Sequence, residues 1–171
     1  MSYLNIEIKA YCPDPERVRQ FLIGQQAECR GLDRQTDTYF NVPKGRLKLR
    51  EGRIENNLIF YERSDVSGPK SSHFKLVPVT EPAILKAALT EALGIRITVI
   101  KEREIWYIGN VKFHIDEVPG LGSFVEIEAG NLLSDLPSET LQEQCRQYRE
   151  SLGIREEDLV AVSYSDLLIG E

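Results

Sequence analysis

The sequence predicts an α+β fold in which a curled antiparallel sheet of about eight strands turns its charged face inward and is covered by helices on its apolar face. The first observation is that short runs with period-two alternation of apolar and charged residues recur along most of the chain. The second is that only about three or four segments have helical character. The third is that the charged strand faces carry both cations and carboxylates, whereas the opposite faces are rich in Leu, Ile, Val and Phe and need a cover.

Length and composition restrict the class of protein. A chain of 171 residues, 42% hydrophobic and 28% charged, has the size and composition of one globular domain, and we expect a single domain over residues 1–171. A net charge of −6 argues against a nucleic-acid partner, which would need a basic surface. Three cysteines without a CxxC pair favour a reducing compartment. Because no signal-peptide pattern and no apolar run of roughly 20 residues is present, we expect a cytoplasmic protein without a membrane partner.

The first half of the chain predicts five strands and one helix. Residues 3–10 form the first strand, with Glu7 and Lys9 on its charged face. Asp14 and Pro15 then begin a helix, as N-cap and first helical residue, and this helix ends near Gly24. Four more strands are predicted after it, at residues 35–40, 46–51, 58–63 and 73–77.

The second half begins with a helix capped by Thr80 that ends at Gly94. Three strands follow between residues 99 and 128, joined by hairpin turns at Gly109-Asn110 and Pro119-Gly120. A long polar helix capped by Ser138 reaches residues 152–153. A shorter helix begins at residues 156–158, and the chain closes on residues 163–168.

Charge is sorted along the last three strands. Lys101 and Arg103 share a face of the first strand, and Glu126 and Glu128 share a face of the third. These charged strand faces have two interpretations. They form either the solvated outer face of a sheet or a face that binds both a polyanion and a metal ion. Cations about 4 Å apart repel by roughly 4 kcal/mol at an effective dielectric near 20, so an inward face needs water, carboxylates or a bound polyanion such as a triphosphate. Two glutamates spaced Glu-x-Glu lie about 7 Å apart, close enough to share Mg²⁺ or Mn²⁺.

An ordered set of motifs across nearly the whole chain resembles the CYTH family, the triphosphate tunnel metalloenzymes. The motifs are Asn5-Ile6-Glu7-Ile8-Lys9, QTDTYF at 35–40, LKLR at 47–50, Lys101-Glu102-Arg103, HIDEV at 114–118, LGSFVEIE at 121–128 and SYSD at 163–166. Within the family, the chain is most similar to the class IV adenylate cyclase branch, with thiamine triphosphatases as relatives. The resemblance implies an eight-stranded antiparallel closed barrel whose bore binds a small-molecule triphosphate. A homodimer is also consistent with it.

The resemblance also implies roles for individual residues. The expected phosphate-binding residues are Lys9, Lys48, Arg50, Lys75, Lys101 and Arg103, with Arg63 and Lys112 as further candidates. The expected ligands of Mg²⁺ or Mn²⁺ are Glu7, Asp116, Glu126 and Glu128, and the expected catalytic residues are Glu7, Lys9 and Asp116. Asn5 stands where the family usually has a glutamate, and Glu62-Arg63 where many members have a lysine. Whether Arg63 points into the bore is therefore open. Lys75 and Lys112 are either phosphate-binding residues or ordinary surface lysines.

Other polar and aromatic residues have plainer interpretations. We expect Tyr39, Tyr107 and Phe124 to pack in the wall, and His73 and His114 to be structural. Tyr164 and Asp166 either close one mouth of the barrel or fix the tail, and the second role is favoured. Adenylate cyclase activity, which forms cyclic AMP and pyrophosphate from ATP, is the leading hypothesis. The alternatives are hydrolysis of tripolyphosphate, thiamine triphosphate or a nucleoside triphosphate, and binding of nucleotide or polyphosphate without turnover.

Overall fold

A computed structural model describes residues 3–170, so Met1, Ser2 and Glu171 of the expected domain lie outside the described residues. The strands are β1 (Tyr3–Tyr11), β2 (Glu28–Phe40), β3 (Arg46–Glu51), β4 (Asn57–Arg63), β5 (Lys70–Pro78), β6 (Ile95–Ile108), β7 (Val111–Val118) and β8 (Gly122–Gly130). The helices are α1 (Pro15–Gly24), α2 (Pro82–Leu93), α3 (Ser138–Ser151) and α4 (Tyr164–Ile169), with a 3₁₀ turn at Glu156–Asp158. None of the helices between residues 3 and 170 is long and apolar enough to cross a membrane.

The eight strands form a closed barrel in the order β1-β5-β4-β3-β2-β6-β7-β8, in which β8 pairs back with β1. All neighbouring strands are antiparallel. The predicted α+β fold with a closed eight-stranded barrel is therefore confirmed. Closure pairs every strand on both sides, and the inward-facing residues of all eight strands then surround one bore.

Helices α1 and α3 cover the outer wall on the side of β1, β7 and β8, whereas α2 lies against β2 and β3. Ile6 and Ile8 pack in a buried apolar cluster with Val18 of α1 and Leu141 of α3. Asp14 caps α1 as predicted, since its side chain accepts a hydrogen bond from the Arg17 backbone N–H. This cluster fixes β1 and β8, and with them the charged residues on their inner faces.

Several element boundaries differ from the prediction. β2 begins at Glu28 rather than at residue 35, and its pairing with β6 shifts register between Cys29 and Gly31. This β-bulge and the polar sequence around it remove the apolar alternation from which a strand is predicted. β5 begins at Lys70, whereas the strand is predicted to begin at His73. Polar residues occupy both faces at the start of β5, so the alternation of apolar and polar residues does not reveal it there. The expected side-chain caps at Thr80 and Ser138 are absent: Glu81 and Pro137 occupy the two N-cap positions without a side-chain hydrogen bond.

Candidate active site

The bore of the barrel contains a cavity of about 320 Å³ lined by inward-facing residues of all eight strands. Seven cations line it: Lys9, Lys48, Arg50, Arg63, Lys101, Arg103 and Lys112. Five carboxylates line it as well: Glu7, Asp37, Glu55, Glu126 and Glu128. The bore therefore has an excess of positive charge inside a chain whose net charge is −6. Such a concentration of cations in a cavity attracts and binds anions.

Asp37 holds three of these cations together on one side of the bore. Its Oδ2 accepts hydrogen bonds from Lys101 Nζ at 2.7 Å, Arg50 Nη2 at 2.9 Å and Lys48 Nζ at 3.2 Å, and its Oδ1 accepts one from Arg50 Nε at 2.9 Å. Burial alone would raise the pKa of Asp37, but the three cations hold it well below its usual value. Burial lowers the pKa of Lys101 to about 7, with Asp37 opposing this shift and Arg50 adding to it.

Arg103 and Asp116 form a second, fully buried pair. Arg103 donates from Nε to Asp116 Oδ1 at 2.7 Å and from Nη2 to Oδ2 at 2.6 Å, which is a bidentate arrangement. The Tyr164 hydroxyl donates to the same Oδ2 at 2.7 Å. Burial would raise the pKa of Asp116, but Arg103 lowers it overall. Asp116 is thus bonded to two side chains and is not among the residues that line the cavity.

Glu126, Glu128 and His114 form a cluster that fits a divalent cation. Each offers one possible ligand atom, and these atoms lie within 4.8 Å of one another. His114 is 1% exposed, its Nδ1 lies 3.0 Å from Glu126 Oε2, and its Nε2 is buried without a hydrogen-bond partner. Burial and the nearby Arg103 lower the pKa of His114 to about 3, so the imidazole is neutral and able to act as a ligand. The two carboxylates are donors that Mg²⁺ and Mn²⁺ prefer.

Negative charge in this cluster is only partly compensated. Burial raises the pKa of Glu128 to about 7; Glu126 and Glu7 add to this shift, and Lys112 opposes it. Glu7 lies directly opposite Glu128 in the β1–β8 ladder, and Lys9 lies opposite Glu126. Lys9 Nζ is 3.4 Å from Glu126 Oε1. A bound cation would stabilise the ionised form of Glu128, which is the second reason that the cluster fits a metal.

Arg63 points into the bore, which decides the direction that the sequence left open. Its Nη1 donates to Glu7 Oε1 at 2.7 Å, and its side chain is 9% exposed. Its Nε and Nη2 are buried without a partner. Lys112 also lines the cavity and donates to Glu55 Oε2 at 2.8 Å.

Lys75 is the one expected phosphate-binding residue that the structure places elsewhere. It lies on the exposed outer face of β5, as does His73, so the expectation that Lys75 faces the bore is wrong. The inward residues of this strand are Lys70, Ser72 and Phe74. The inner face of β5 contains the apolar Phe74, whereas its outer face contains His73 and Lys75. The expectation that the more charged face points inward therefore selects the wrong face of β5.

Three residues of the site were missed by the sequence analysis. Lys70 is buried and donates to the Ala161 carbonyl at 2.6 Å. Glu55 reaches the cavity from the β3–β4 connection, where no strand periodicity indicates a direction. Asp37 lies in the QTDTYF motif at residues 35–40, and the sequence gives it no individual role. A carboxylate in the strand that directly precedes the cation-bearing LKLR motif is the signal that could have identified it.

The segment 160–166 crosses one mouth of the barrel. Lys70 and Lys9 donate to the carbonyls of Ala161 and Val162, and Tyr164 lines the cavity with its ring packed against Phe124. Asp166 instead accepts hydrogen bonds from Ser163 in the capping box of α4 and pairs with Arg46 at 2.8 Å. Tyr164 thus takes part in covering this mouth, whereas Asp166 fixes the tail.

Comparison with solved structures shows the same fold in proteins from distant organisms. The PH1012 protein of Pyrococcus horikoshii is 22% identical with a TM-score of 0.78, over 95% of this chain and 98% of that chain. A protein of Vibrio parahaemolyticus proposed to be an adenylate cyclase is 18% identical with a TM-score of 0.78, over 97% and 98%. A Hippeastrum protein, proposed to be an adenylyl cyclase and having a dominant triphosphatase activity, is 12% identical with a TM-score of 0.64, over 98% and 94%.

Sequence comparison gives the family. No curated protein is similar enough to this chain to count as a match. The family model of the CYTH domain matches residues 4–164, from the start of β1 to the tyrosine that lines the cavity. This range contains every charged residue of the bore described above. The chain therefore belongs to the CYTH domain family.

Proposed function

We propose that the chain is a metal-dependent enzyme that binds a triphosphate in the bore, and that it converts ATP to cyclic AMP and pyrophosphate. The observation that carries the proposal is that excess cations line one cavity together with Glu126 and Glu128, two carboxylates of a cluster that also contains the buried His114. Several buried cations that share one carboxylate are a costly arrangement for a protein core. A triphosphate supplies the missing negative charge, and its metal ion is complementary to the cluster.

The cations divide into two groups along the wall of the cavity. Lys48, Arg50 and Lys101 surround Asp37 and bind the phosphate oxygens from the side of β2, β3 and β6. Arg63 and Lys9 bind them from the side of β4 and β1, and Lys112 adds a point charge. In the cyclase reaction these groups stabilise the charge that develops on the departing pyrophosphate.

Glu126 and Glu128 hold the metal ion, with His114 beside them and Glu7 opposite Glu128 on the neighbouring strand. When bound, Mg²⁺ or Mn²⁺ lowers the pKa of the ribose 3′-hydroxyl and neutralises phosphate charge. Asp116 was expected to be a ligand and a catalytic residue; its bonds to Arg103 and Tyr164 support a positioning role instead. Arg103 is then held with Nη2 3.2 Å from Glu126 Oε2, next to the metal-binding carboxylates.

Hydrolysis of the terminal phosphate is the second candidate, and the covered mouth favours it. Because the segment 160–166 lies across one mouth, a triphosphate that enters from the other side has its terminal phosphate deepest, near Lys9 and Glu126. Water attack at that phosphorus would release orthophosphate. Cyclisation instead needs the α-phosphorus close to the metal-binding carboxylates. The two reactions therefore differ in how far the substrate enters the bore.

A product assay tests the proposal. The protein is incubated with ATP, tripolyphosphate or thiamine triphosphate, each with Mg²⁺ or Mn²⁺, and the products are separated by chromatography. Cyclic AMP with pyrophosphate supports the cyclase, and orthophosphate supports the hydrolase. Ligand-dependent protection from thermal unfolding without any product would indicate binding without turnover. Glu128→Ala serves as the inactive variant, and Lys75→Met, on the outer face, serves as the control that keeps wild-type turnover.

A further inference from the structure

We propose that the open mouth of the bore selects triphosphates that carry an aromatic organic group, and that Leu132, Leu133 and Tyr107 form the binding site for that group. This inference rests on the proposed function, because it requires the phosphates to bind deeper in the bore. It adds the residues that distinguish an organic triphosphate from inorganic tripolyphosphate.

The two mouths of the barrel differ in a way that gives the substrate a direction. Phe124, near the start of β8, packs against Tyr164 of the segment that covers the first mouth. Gly130 ends β8 at the opposite mouth, and Leu132 and Leu133 follow directly after it. Both leucines line the same cavity as the charged residues. An organic group attached to the triphosphate therefore extends towards Leu132 and Leu133.

The two leucines are exposed although the loop that carries them is fixed. Leu132 is 43% exposed and Leu133 is 67% exposed. The loop is bonded at both ends: Asn131 exchanges hydrogen bonds with the Leu4 backbone, and Ser134 Oγ donates to the Gly130 carbonyl. Single exposed leucines are common, but two adjacent ones at the rim of a charged cavity form an apolar surface that a ligand can cover.

Tyr107 supplies an aromatic surface at the same mouth. It lies near the end of β6, is half-buried and lines the cavity. The Arg30 guanidinium lies 5.4 Å and the Lys112 ammonium 5.8 Å from its ring centre, so the ring is flanked by cations. The adjacent β6–β7 turn is fixed to α3, because the side-chain amides of Asn110 and Gln144 bond to each other at 2.8 and 2.9 Å.

A tyrosine ring and two leucines on fixed supports suit a flat, largely apolar ring system. Stacking on the tyrosine and contact with the leucines both remove apolar surface from water without requiring the loop to reorder. A nucleobase and a thiazole–pyrimidine group share this chemistry. Inorganic tripolyphosphate has no group that reaches this surface, so its affinity should not depend on it.

The test measures binding, in EDTA so that metal-dependent turnover is absent, by titration calorimetry with ATP, thiamine triphosphate and tripolyphosphate as separate probes. The double variant Leu132→Ser/Leu133→Ser should weaken binding of an organic probe about tenfold, since tenfold is about 1.4 kcal/mol and partial burial of two leucines contributes about that much. The Kd of tripolyphosphate should not change. Leu32→Ser is the matched control, because Leu32 is a 55% exposed leucine of β2 that does not line the cavity.

Each outcome decides the inference. A selective loss of affinity for ATP or for thiamine triphosphate in the double leucine variant supports the inference and identifies the organic group. Unchanged binding of both organic probes overturns it, and so does an equal loss for tripolyphosphate, which would show general damage to the bore. A wild-type protein that binds tripolyphosphate but neither organic probe overturns this inference and leaves the triphosphate bore in place. A wild-type protein that binds none of the three overturns the proposed function as well.

Discussion

Arg63 of β4 donates a 2.7 Å hydrogen bond to Glu7 of β1, although β5 lies between these two strands in the barrel. The pair therefore forms across the bore and not along a ladder. Arg63 compensates part of the charge of Glu7, which is the one carboxylate left on β1 where the family usually has two. Its remaining donors Nε and Nη2 have no partner, and a buried guanidinium with two unused donors is well suited to bind an anion.

Arg63→Met should separate phosphate binding from metal binding. Loss of the guanidinium removes hydrogen bonds to phosphate, and we expect tripolyphosphate affinity to fall by about 1.5–3 kcal/mol, the usual worth of a charged hydrogen bond. Metal affinity in the absence of phosphate should rise, because Glu7 is no longer compensated beside Glu128. Calorimetric titration with tripolyphosphate and with Mn²⁺ measures both effects. Lys75→Met is the matched control, and a simultaneous loss of Mn²⁺ binding would contradict the assignment.

Arg103 supports both the fold and the site. We expect Arg103→Ala to lower the free energy of unfolding by about 3–5 kcal/mol, because it leaves the buried Asp116 carboxylate without its bidentate partner. Denaturant unfolding of the protein without ligand measures this loss. Arg103→Ala/Asp116→Ala should recover part of it, and the coupling energy of the double-mutant cycle gives the worth of the pair. Equal and additive losses in the two single variants would show that the pair is not coupled.

The barrel could be predicted because strands from the whole chain repeat one pattern, with one charged and one apolar face. The order of the motifs then gave the family resemblance. Positions within the bore were harder to predict. Asp37 binds cations from both of its neighbouring strands, and a sequence does not say which side chains of paired strands meet. Lys75 and Lys70 show the second limit, since both faces of β5 are polar near its start and only the pairing of the folded barrel selects the inner one.

Glu128→Gln should make the protein more stable and inactive. In the folded protein the pKa of Glu128 is about 7, whereas that of an ordinary glutamate is 4.5. At pH 8 the ionised Glu128 side chain therefore lowers the free energy of unfolding. We expect the variant to gain about 2 kcal/mol at pH 8, allowing for partial exposure, and to gain nothing at pH 4. Urea unfolding at both pH values measures the difference.

Metal addition provides the control for Glu128→Gln. Saturating Mn²⁺ should raise the melting temperature of the wild-type protein, because it binds the folded state alone. The variant should lose most of this rise together with metal-dependent turnover. A variant that is less stable than the wild type at pH 8 would show that Glu128 has a structural role instead.

Lys101 gives the protein without ligand a stability that rises with pH. Burial lowers the pKa of Lys101 from 10.5 to about 7. Above pH 7 the unfolded chain therefore keeps a proton that the folded protein releases, and the free energy of unfolding increases with pH up to the unfolded value. Burial also lowers the pKa of Lys70, to about 8, so Lys70 makes the free energy of unfolding increase with pH as well. Burial also lowers the pKa of Lys9, so Lys101→Met should reduce the slope, and Lys70 and Lys9 should account for the remainder.

Urea unfolding at pH 7 and pH 9 tests the contribution of Lys101. Between these values the wild-type protein should gain about 2 kcal/mol more than Lys101→Met, because one proton is worth about 1.4 kcal/mol per pH unit. Lys75→Met, which removes an exposed lysine from the outer face, should keep the wild-type slope. A bound triphosphate raises the pKa of Lys101 again, so tripolyphosphate binding at pH 8 should take up a proton in the wild type and less in Lys101→Met. Equal proton uptake by both proteins would show that Lys101 does not face the phosphates.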